Sequence, residues 1–146
     1  MIDVLHLDAM SAYSLNFDDK SAPYATLVKK TETKWDEWSK TGSKVVPLVT
    51  AGWDRRPRVM NPVSWEGPPK RSDEIEYCYA PPKPEELAGL LRDAIFWCAR
   101  NSAAADANTI LIYAWNEIDE GGWLVPSLWP DQGSRRLDAI RALLRP

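Results

Sequence analysis

The chain has 146 residues, which is long enough for one domain with a hydrophobic core. Its net charge of −3 provides no broad basic surface that would attract nucleic acid or an anionic membrane. The sequence has no apolar run near the roughly 20 residues of a membrane span, and its N-terminal segment MIDVLHLDAM lacks the basic region of a signal peptide. We therefore expect a cytoplasmic domain with no membrane span.

The composition also disfavours metal and cofactor chemistry. Cys78 and Cys98 are not spaced as a CxxC pair, and His6 is the only histidine, so we expect neither a disulfide scaffold nor a metal site. The chain contains no glycine-rich phosphate loop, GxSxG elbow or Rossmann fingerprint, and we expect no cofactor. We interpret His6 as a packed residue of a strand rather than a catalytic base.

The first third of the chain predicts a strand, a helix and a second strand. Val4–Leu7 is a short apolar run that ends at Asp8, and the loop Ala9–Ala22 follows it. Apolar residues at helical spacing predict a helix over Pro23–Lys40. The next apolar run, Val45–Ala51, predicts the second strand.

Pro47 lies inside this second strand and cannot donate a ladder hydrogen bond, so we expect irregular pairing there. The connection that follows, Gly52–Pro84, is long and holds seven of the twelve prolines. A connection of this length in a compact domain is usually functional or disordered, and its aromatic residues argue against disorder.

The last third of the chain predicts a helix, a strand and a helix. Glu85–Asn101 carries one apolar face, formed by Leu87, Leu90, Leu91, Ala94 and Cys98. Thr109–Ala114 is apolar and rich in β-branched residues, as in a strand that is buried on both faces. Ser134 is expected to cap a last helix that is buried through Leu137, Ile140 and Leu144.

The resulting β-α-β-α-β-α order predicts an α/β fold with parallel strands and right-handed crossovers. Three such units cannot close a barrel, which needs eight strands. A three-stranded parallel sheet has open edges, so we expect residues 1–146 to be one domain that is part of a larger barrel or is completed by association.

The most informative stretch is TILIYAWNEIDEGGWLVP, which begins at Thr109. Three carboxylates follow its strand, and the ends of parallel strands usually carry the chemistry. Glycoside cleavage needs two carboxyl groups beside the scissile bond. On a helical turn, Glu117 and Glu120 would have Cβ atoms roughly 5–6 Å apart, and their repulsion would let one act as acid and the other as base. The alternative is that these acids only serve solubility.

Three further groups of residues are candidates for substrate binding. In the segment GWDRRPR, one interpretation is that Asp54 and one arginine pair and fix the loop; the other is that Asp54 or a remaining arginine, Arg56 or Arg58, hydrogen-bonds substrate hydroxyls or an anionic group. Asp8 and Tyr13 face the same cleft or hold their loop. Tryptophans in or next to predicted loops either stack on sugar rings or pack loops onto the body, and they are Trp53, Trp65, Trp115 and Trp123.

Three of these segments resemble the glycoside hydrolase family 99-like group, which includes the WbsX-type proteins found with polysaccharide biosynthesis genes. The pattern W-N-E-x-x-E-G is matched by Trp115, Asn116, Glu117, Glu120 and Gly121. VPLVTAGWDRRPR is similar to a WbsX-type segment through Gly52, Trp53, Asp54, Arg56, Pro57 and Arg58. LDAMSAY resembles a third segment that ends in Tyr13.

The resemblance implies a (β/α)8 barrel and a retaining, endo-acting mechanism on a carbohydrate substrate. Glu117 would assist attack by the sugar's own 2-hydroxyl, Glu120 would be the general acid/base, and Tyr13 would contact the sugar near the reacting carbon. The chain would cover about the last three βα units. Ile118 and Asp119 differ from the Trp-His of the mannosidases, so mannose specificity is not implied.

Three alternatives to a glycosidase remain open at this point. The chain could be a non-catalytic glycan-binding module, in which tryptophans and arginines bind and the carboxylates are structural. It could be a glycosyltransferase-like protein of polysaccharide biosynthesis, with the basic GWDRRPR loop holding an activated donor. It could also be an inactive fragment of a barrel, whose missing half or a second copy would complete the fold.

Overall fold

The computed structural model describes residues 7–15, 18–65, 73–128 and 133–145. These residues form the helices α1 (Tyr24–Lys40), α2 (Arg56–Met60), α3 (Pro84–Arg100) and α4 (Arg135–Leu144). The strands are β1 (Leu48–Thr50), β2 (Leu111–Tyr113), β3 (Asn116–Glu117) and β4 (Gly122–Trp123). Single 3-10 turns cover Glu74–Glu76 and Ile118–Glu120. Positions 4–6 of the first predicted strand, including His6, lie outside the described residues.

The central strands are parallel, as predicted. β1 pairs with β2 in a register that places Leu48 opposite Leu111 and Thr50 opposite Tyr113. Met10 forms an isolated parallel bridge with Val45, so the chain that precedes α1 also runs parallel to the chain that follows it. The chain is therefore an α/β domain with a small parallel sheet, and its described residues do not close a barrel.

The second predicted strand is shorter than expected because of Pro47. Regular pairing begins only at Leu48, directly after the proline. The carbonyl of Pro47 still accepts a hydrogen bond from the backbone N–H of Leu111, at 3.0 Å. Pro47 thus occupies the place before a strand where a missing N–H is tolerated.

The helix α1 packs one face on β1. Pro23 is the residue before the helix rather than its first residue, and its backbone is extended. Trp35 is almost fully buried and donates from its indole nitrogen to the carbonyl of Leu48, at 3.1 Å. Tyr24 donates its hydroxyl to the carbonyl of Thr50, at 2.6 Å. These two bonds satisfy the polar ends of buried aromatic rings and fix the helix along the strand.

The helix α3 matches its prediction closely. At its N-terminus the Glu86 carboxylate accepts from the backbone N–H of Lys83, at 2.8 Å, which is the glutamate half of a capping box. The buried face consists of Leu87, Leu90, Leu91, Ala94 and Trp97. Fully burying a leucine contributes about 1.5–3 kcal/mol, so this face holds α3 on the sheet. Trp97 also donates to the Asp36 carboxylate of α1, at 2.7 Å.

Three predictions about burial and capping were wrong. β2 is not buried on both faces, because Leu111 is 45% exposed and Ile112 is only half-buried. Leu144, in the last turn of α4, is 60% exposed, whereas Ile140 is buried. Ser134 has a non-extended backbone and donates to the Asp138 side chain, at 2.7 Å, instead of capping a backbone N–H.

No helix within the described ranges combines the length and apolar character needed to cross a bilayer. Both cysteines are free thiols, with Cys78 buried and Cys98 partly buried.

Candidate functional site

The segments GWDRRPR and WNEIDEGG meet through a close backbone contact. The N–H of Asp54 donates to the carbonyl of Glu120, at 2.7 Å. Gly52 has φ +135° and Gly121 has φ +77°, both in the region that favours glycine. A Cβ on Gly52 would collide with the Gly121 carbonyl, and one on Gly121 would lie 2.5 Å from the Asp54 nitrogen. The contact therefore needs both glycines, and it holds α2 beside the turn Ile118–Glu120.

Arg58, in α2, is the centre of the cluster that results. Its Nε and Nη2 donate to the two oxygens of Asp119, at 2.9 and 3.0 Å. Its Nη1 donates to Glu120, and Nη2 lies 3.5 Å from an oxygen of Glu117. Glu117 and Glu120 thus converge on one guanidinium, whose single positive charge is shared by three neighbouring carboxylates.

Two tyrosines bind the other oxygens of the same glutamates. Tyr13 donates its hydroxyl to Glu117 at 2.6 Å, and Tyr113 donates to Glu120. Their rings pack edge to face with centroids 5.1 Å apart. The hydrogen bond to Glu117, with burial and the nearby carboxylate charges, raises the pKa of Tyr13 to about 12. Burial and then the bond to Glu120 raise the pKa of Tyr113, so both phenols remain protonated donors at neutral pH.

Asp54 pairs with Arg56, which is the structural interpretation considered for this loop. Arg56 donates from Nε and Nη2 to the Asp54 carboxylate, at 2.9 and 2.6 Å. Burial alone would raise the pKa of Asp54, but the hydrogen bonds and charge of Arg56 outweigh it and hold the pKa below its usual value. The neighbouring Arg55 contacts Glu74, at 3.3 Å, and lies 3.7 Å from Glu120.

The aromatic candidates divide between the core and the surface. Trp53 is buried and packs against Tyr113, with ring centroids 6.1 Å apart. Trp115 is 56% exposed and Trp65 is 80% exposed, so these two rings are available for stacking. Trp123 is half-buried, and the guanidinium of Arg136 covers its ring at 4.1 Å from the centroid.

The remaining polar candidates lie outside the carboxylate cluster. Asn116 is exposed, and its backbone pairs with Trp123 in the β3–β4 ladder. Asp8 is also exposed. Of the predicted site residues, the structure therefore brings together Tyr13, Arg58, Glu117 and Glu120.

Two members of the cluster were not predicted as functional residues. The apolar run of β2 predicts that Tyr113 is a core residue. Its position at the end of the strand is, however, one where residues of a functional site are often found. Asp119 was noted only as a neighbouring acid. Across the described part of the chain, no group of three or more His, Cys, Asp or Glu residues is arranged to hold a metal ion. The acids of this cluster surround Arg58 instead.

Comparison with known proteins does not assign the chain to a family. The sequence matches no family model, and no curated protein and no solved structure matches the chain. The resemblance to the glycoside hydrolase family 99-like group stays a prediction, and the geometry of the cluster is the basis for inferring a function.

Proposed function

We propose that the chain is a glycoside hydrolase-like domain that acts on a polysaccharide or O-antigen-type glycan. The observation that carries this proposal is the convergence of Glu117 and Glu120 on Arg58, with a tyrosine hydroxyl on the other oxygen of each. Two carboxyl groups that reach one point at the end of a strand are the minimum that glycoside cleavage requires. The exposed rings of Tyr13, whose hydroxyl contacts Glu117, and of Trp115, which precedes Glu117 by two residues, offer flat surfaces for stacking on sugar rings.

The proposed fold of the parent protein is a (β/α)8 barrel, of which this chain provides about three βα units. Supporting this, the segment at Met10, β1 and β2 run parallel and are linked by α1 and α3. The other strands would come from a further segment of the parent protein or from a second copy of the chain. Such completion would cover the exposed end of β2 at Leu111.

The two glutamates have different surroundings and are assigned different steps. The side chain of Glu117 is 28% exposed and that of Glu120 is 8% exposed. Glu117 takes the proton of the sugar 2-hydroxyl as this oxygen attacks the anomeric carbon. Glu120 donates a proton to the glycosidic oxygen as its bond to that carbon breaks. Water then opens the 1,2-anhydro sugar, giving a proton to Glu120 while Glu117 returns its proton to the 2-oxygen, so configuration is retained.

Arg58 favours a second candidate function, a non-catalytic glycan-binding module. For Glu120 to carry the proton that the leaving group needs, its ion pair with Arg58 must open. In a binding module the pair stays closed, the carboxylates only orient Arg58, and Tyr13 and Trp115 contact the glycan. The two functions therefore differ in whether Glu120 exchanges a proton with the substrate or stays ion-paired with Arg58 throughout.

The test is turnover of a panel of alkyl and unsubstituted phenyl glycosides, whose leaving oxygens need a proton from the general acid, by the wild type, Glu117→Gln and Glu120→Gln. We expect each glutamine variant to lower kcat/KM by roughly 10²- to 10⁴-fold, the usual contribution of a general acid or base. Asp119→Asn is the matched control, because it removes a carboxylate from the same turn and the same arginine. We expect it to retain activity within about tenfold.

The outcomes separate the two functions. Turnover that Glu120→Gln leaves unchanged would remove the catalytic assignment. Calorimetric binding of an oligosaccharide, with no cleavage on long incubation and no effect of either glutamine variant, would establish the binding module instead.

A further inference from the structure

A cavity of about 390 Å³ lies beside the carboxylate cluster. Ile118 and Gly121 line it, so it shares the turn that carries the glutamates, but the carboxylates of Glu117 and Glu120 are not part of its wall. Most of the wall is apolar and includes aromatic rings, among them Trp53, Tyr79 and Trp123. Its size is in the range of small-molecule binding pockets.

Arg136 gives this cavity a fixed positive charge. The residue is only 3% exposed, and its Nη1 donates to the carbonyls of Ala51 and Trp123, at 3.3 and 2.7 Å. Stacking on the Trp123 ring holds the guanidinium plane in place. Within the ranges that the structure describes, Nε and Nη2 have no hydrogen-bond partner. Burial also lowers the pKa of this arginine, which reflects the cost of its uncompensated charge.

The unsatisfied edge of Arg136 is the one that binds carboxylates elsewhere in this chain. Arg56 uses Nε and Nη2 to hold Asp54, and Arg58 uses the same two nitrogens to hold Asp119. Two parallel N–H groups on this edge match the two oxygens of a planar carboxylate. Asp54 and Arg56 neutralise each other at the cavity wall, so no carboxylate among the described lining residues is left to balance Arg136.

Ser127 adds a second unsatisfied donor to the same cavity. Its hydroxyl oxygen, like Nε and Nη2 of Arg136, has almost no accessible surface and no hydrogen-bond partner among the described residues, so a ligand in the cavity reaches these atoms only when the side chains over them move. A buried hydroxyl and a buried guanidinium edge both lose hydrogen bonds to water, and one anionic ligand would restore them. The mostly apolar wall disfavours a ligand rich in hydroxyls, whose own donors would stay unpaired.

We propose that this cavity binds a small carboxylic acid with a flat apolar body. Its carboxylate binds Nε and Nη2 of Arg136 and accepts from the Ser127 hydroxyl, while its ring packs among Trp53, Tyr79 and Trp123. The inference does not depend on the function of Glu117 and Glu120.

The test compares benzoate with benzamide, which has nearly the same shape but no charge. We expect saturable benzoate binding by calorimetry, at least tenfold tighter than that of benzamide. Arg136→Met removes both donors and should weaken benzoate binding at least tenfold, and Ser127→Ala should weaken it about threefold to tenfold. Arg135→Gln is the matched control, because it removes the same charge from an exposed position of the same helix, and should stay within about twofold. Glu117→Gln should also bind benzoate as the wild type does.

Thermal unfolding of each variant shows whether it is folded. If Arg136→Met does not fold, the comparison of benzoate with benzamide and the Ser127→Ala variant decide the question. Three results would each overturn the proposal. They are equal affinity for the two ligands, no saturable binding of benzoate at millimolar concentration and about 20-fold excess over the protein, and a folded Arg136→Met that binds benzoate like the wild type.

Discussion

Gly121→Ala tests whether the close approach of two backbone segments builds the carboxylate cluster. At φ +77° an alanine costs roughly 1–2 kcal/mol in the left-handed conformation. Its Cβ would also lie 2.5 Å from the backbone nitrogen of Asp54, which donates to the carbonyl of Glu120. Separating the segments breaks that hydrogen bond, at a further cost of about 1–2 kcal/mol. We therefore expect the free energy of unfolding to fall by about 2–4 kcal/mol.

Gly42→Ala is the control that isolates the steric part of this loss. Gly42 has φ +82°, nearly the same as Gly121, but an added Cβ there meets nothing within 4 Å. Its replacement should therefore cost only the conformational part, about 1–2 kcal/mol. Urea denaturation at 25 °C measures both variants against the wild type. If Gly121→Ala is no more destabilising than Gly42→Ala, the backbone contact does not carry the energy assigned to it.

Two further predictions concern the same cluster. Arg58→Met leaves the carboxylates of residues 117, 119 and 120 without their shared counter-charge, so we expect a loss of about 2–4 kcal/mol by urea denaturation; wild-type stability would contradict this role of Arg58. Tyr13 has a pKa near 12 in the folded chain and about 10 when unfolded, so the stabilisation that its protonated hydroxyl provides is complete below pH 10 and is lost between pH 10 and 12. Tyr13→Phe should flatten the fall of stability with pH over that interval, and an unchanged pH profile would refute the contribution.

The helices and the parallel direction of the strands could be predicted because they depend on local patterns. Helical spacing of leucines and an acidic first turn specify α3 without reference to any other element. The alternation of helices and strands was sufficient to predict that β1 and β2 pair in parallel. The short helix α2 was missed inside the proline-rich connection, although Pro57 in its first turn suits a helix start.

Burial was predicted less well, because it depends on what lies against a residue and not on the residue alone. An apolar run predicts that Leu111 is covered, but only tertiary packing determines whether an element reaches it. Arg136 is the opposite case, a charged residue at 3% exposure that no sequence pattern identifies.

The partners within the carboxylate cluster also could not be predicted. The spacing of Glu117 and Glu120 suggested that they share one face, and both do reach the same arginine. That this arginine is Arg58, 59 positions from Glu117, follows from the contact between two loops and from no local rule.

The fit of Gly52 against Gly121 also constrains how this chain can change over evolution. Each residue is small because the other approaches it, so a side chain at either position pushes the two loops apart. Once they have separated, a second substitution costs less than it would alone, and the two losses are not additive. Descendant sequences should therefore keep both glycines or abandon both together.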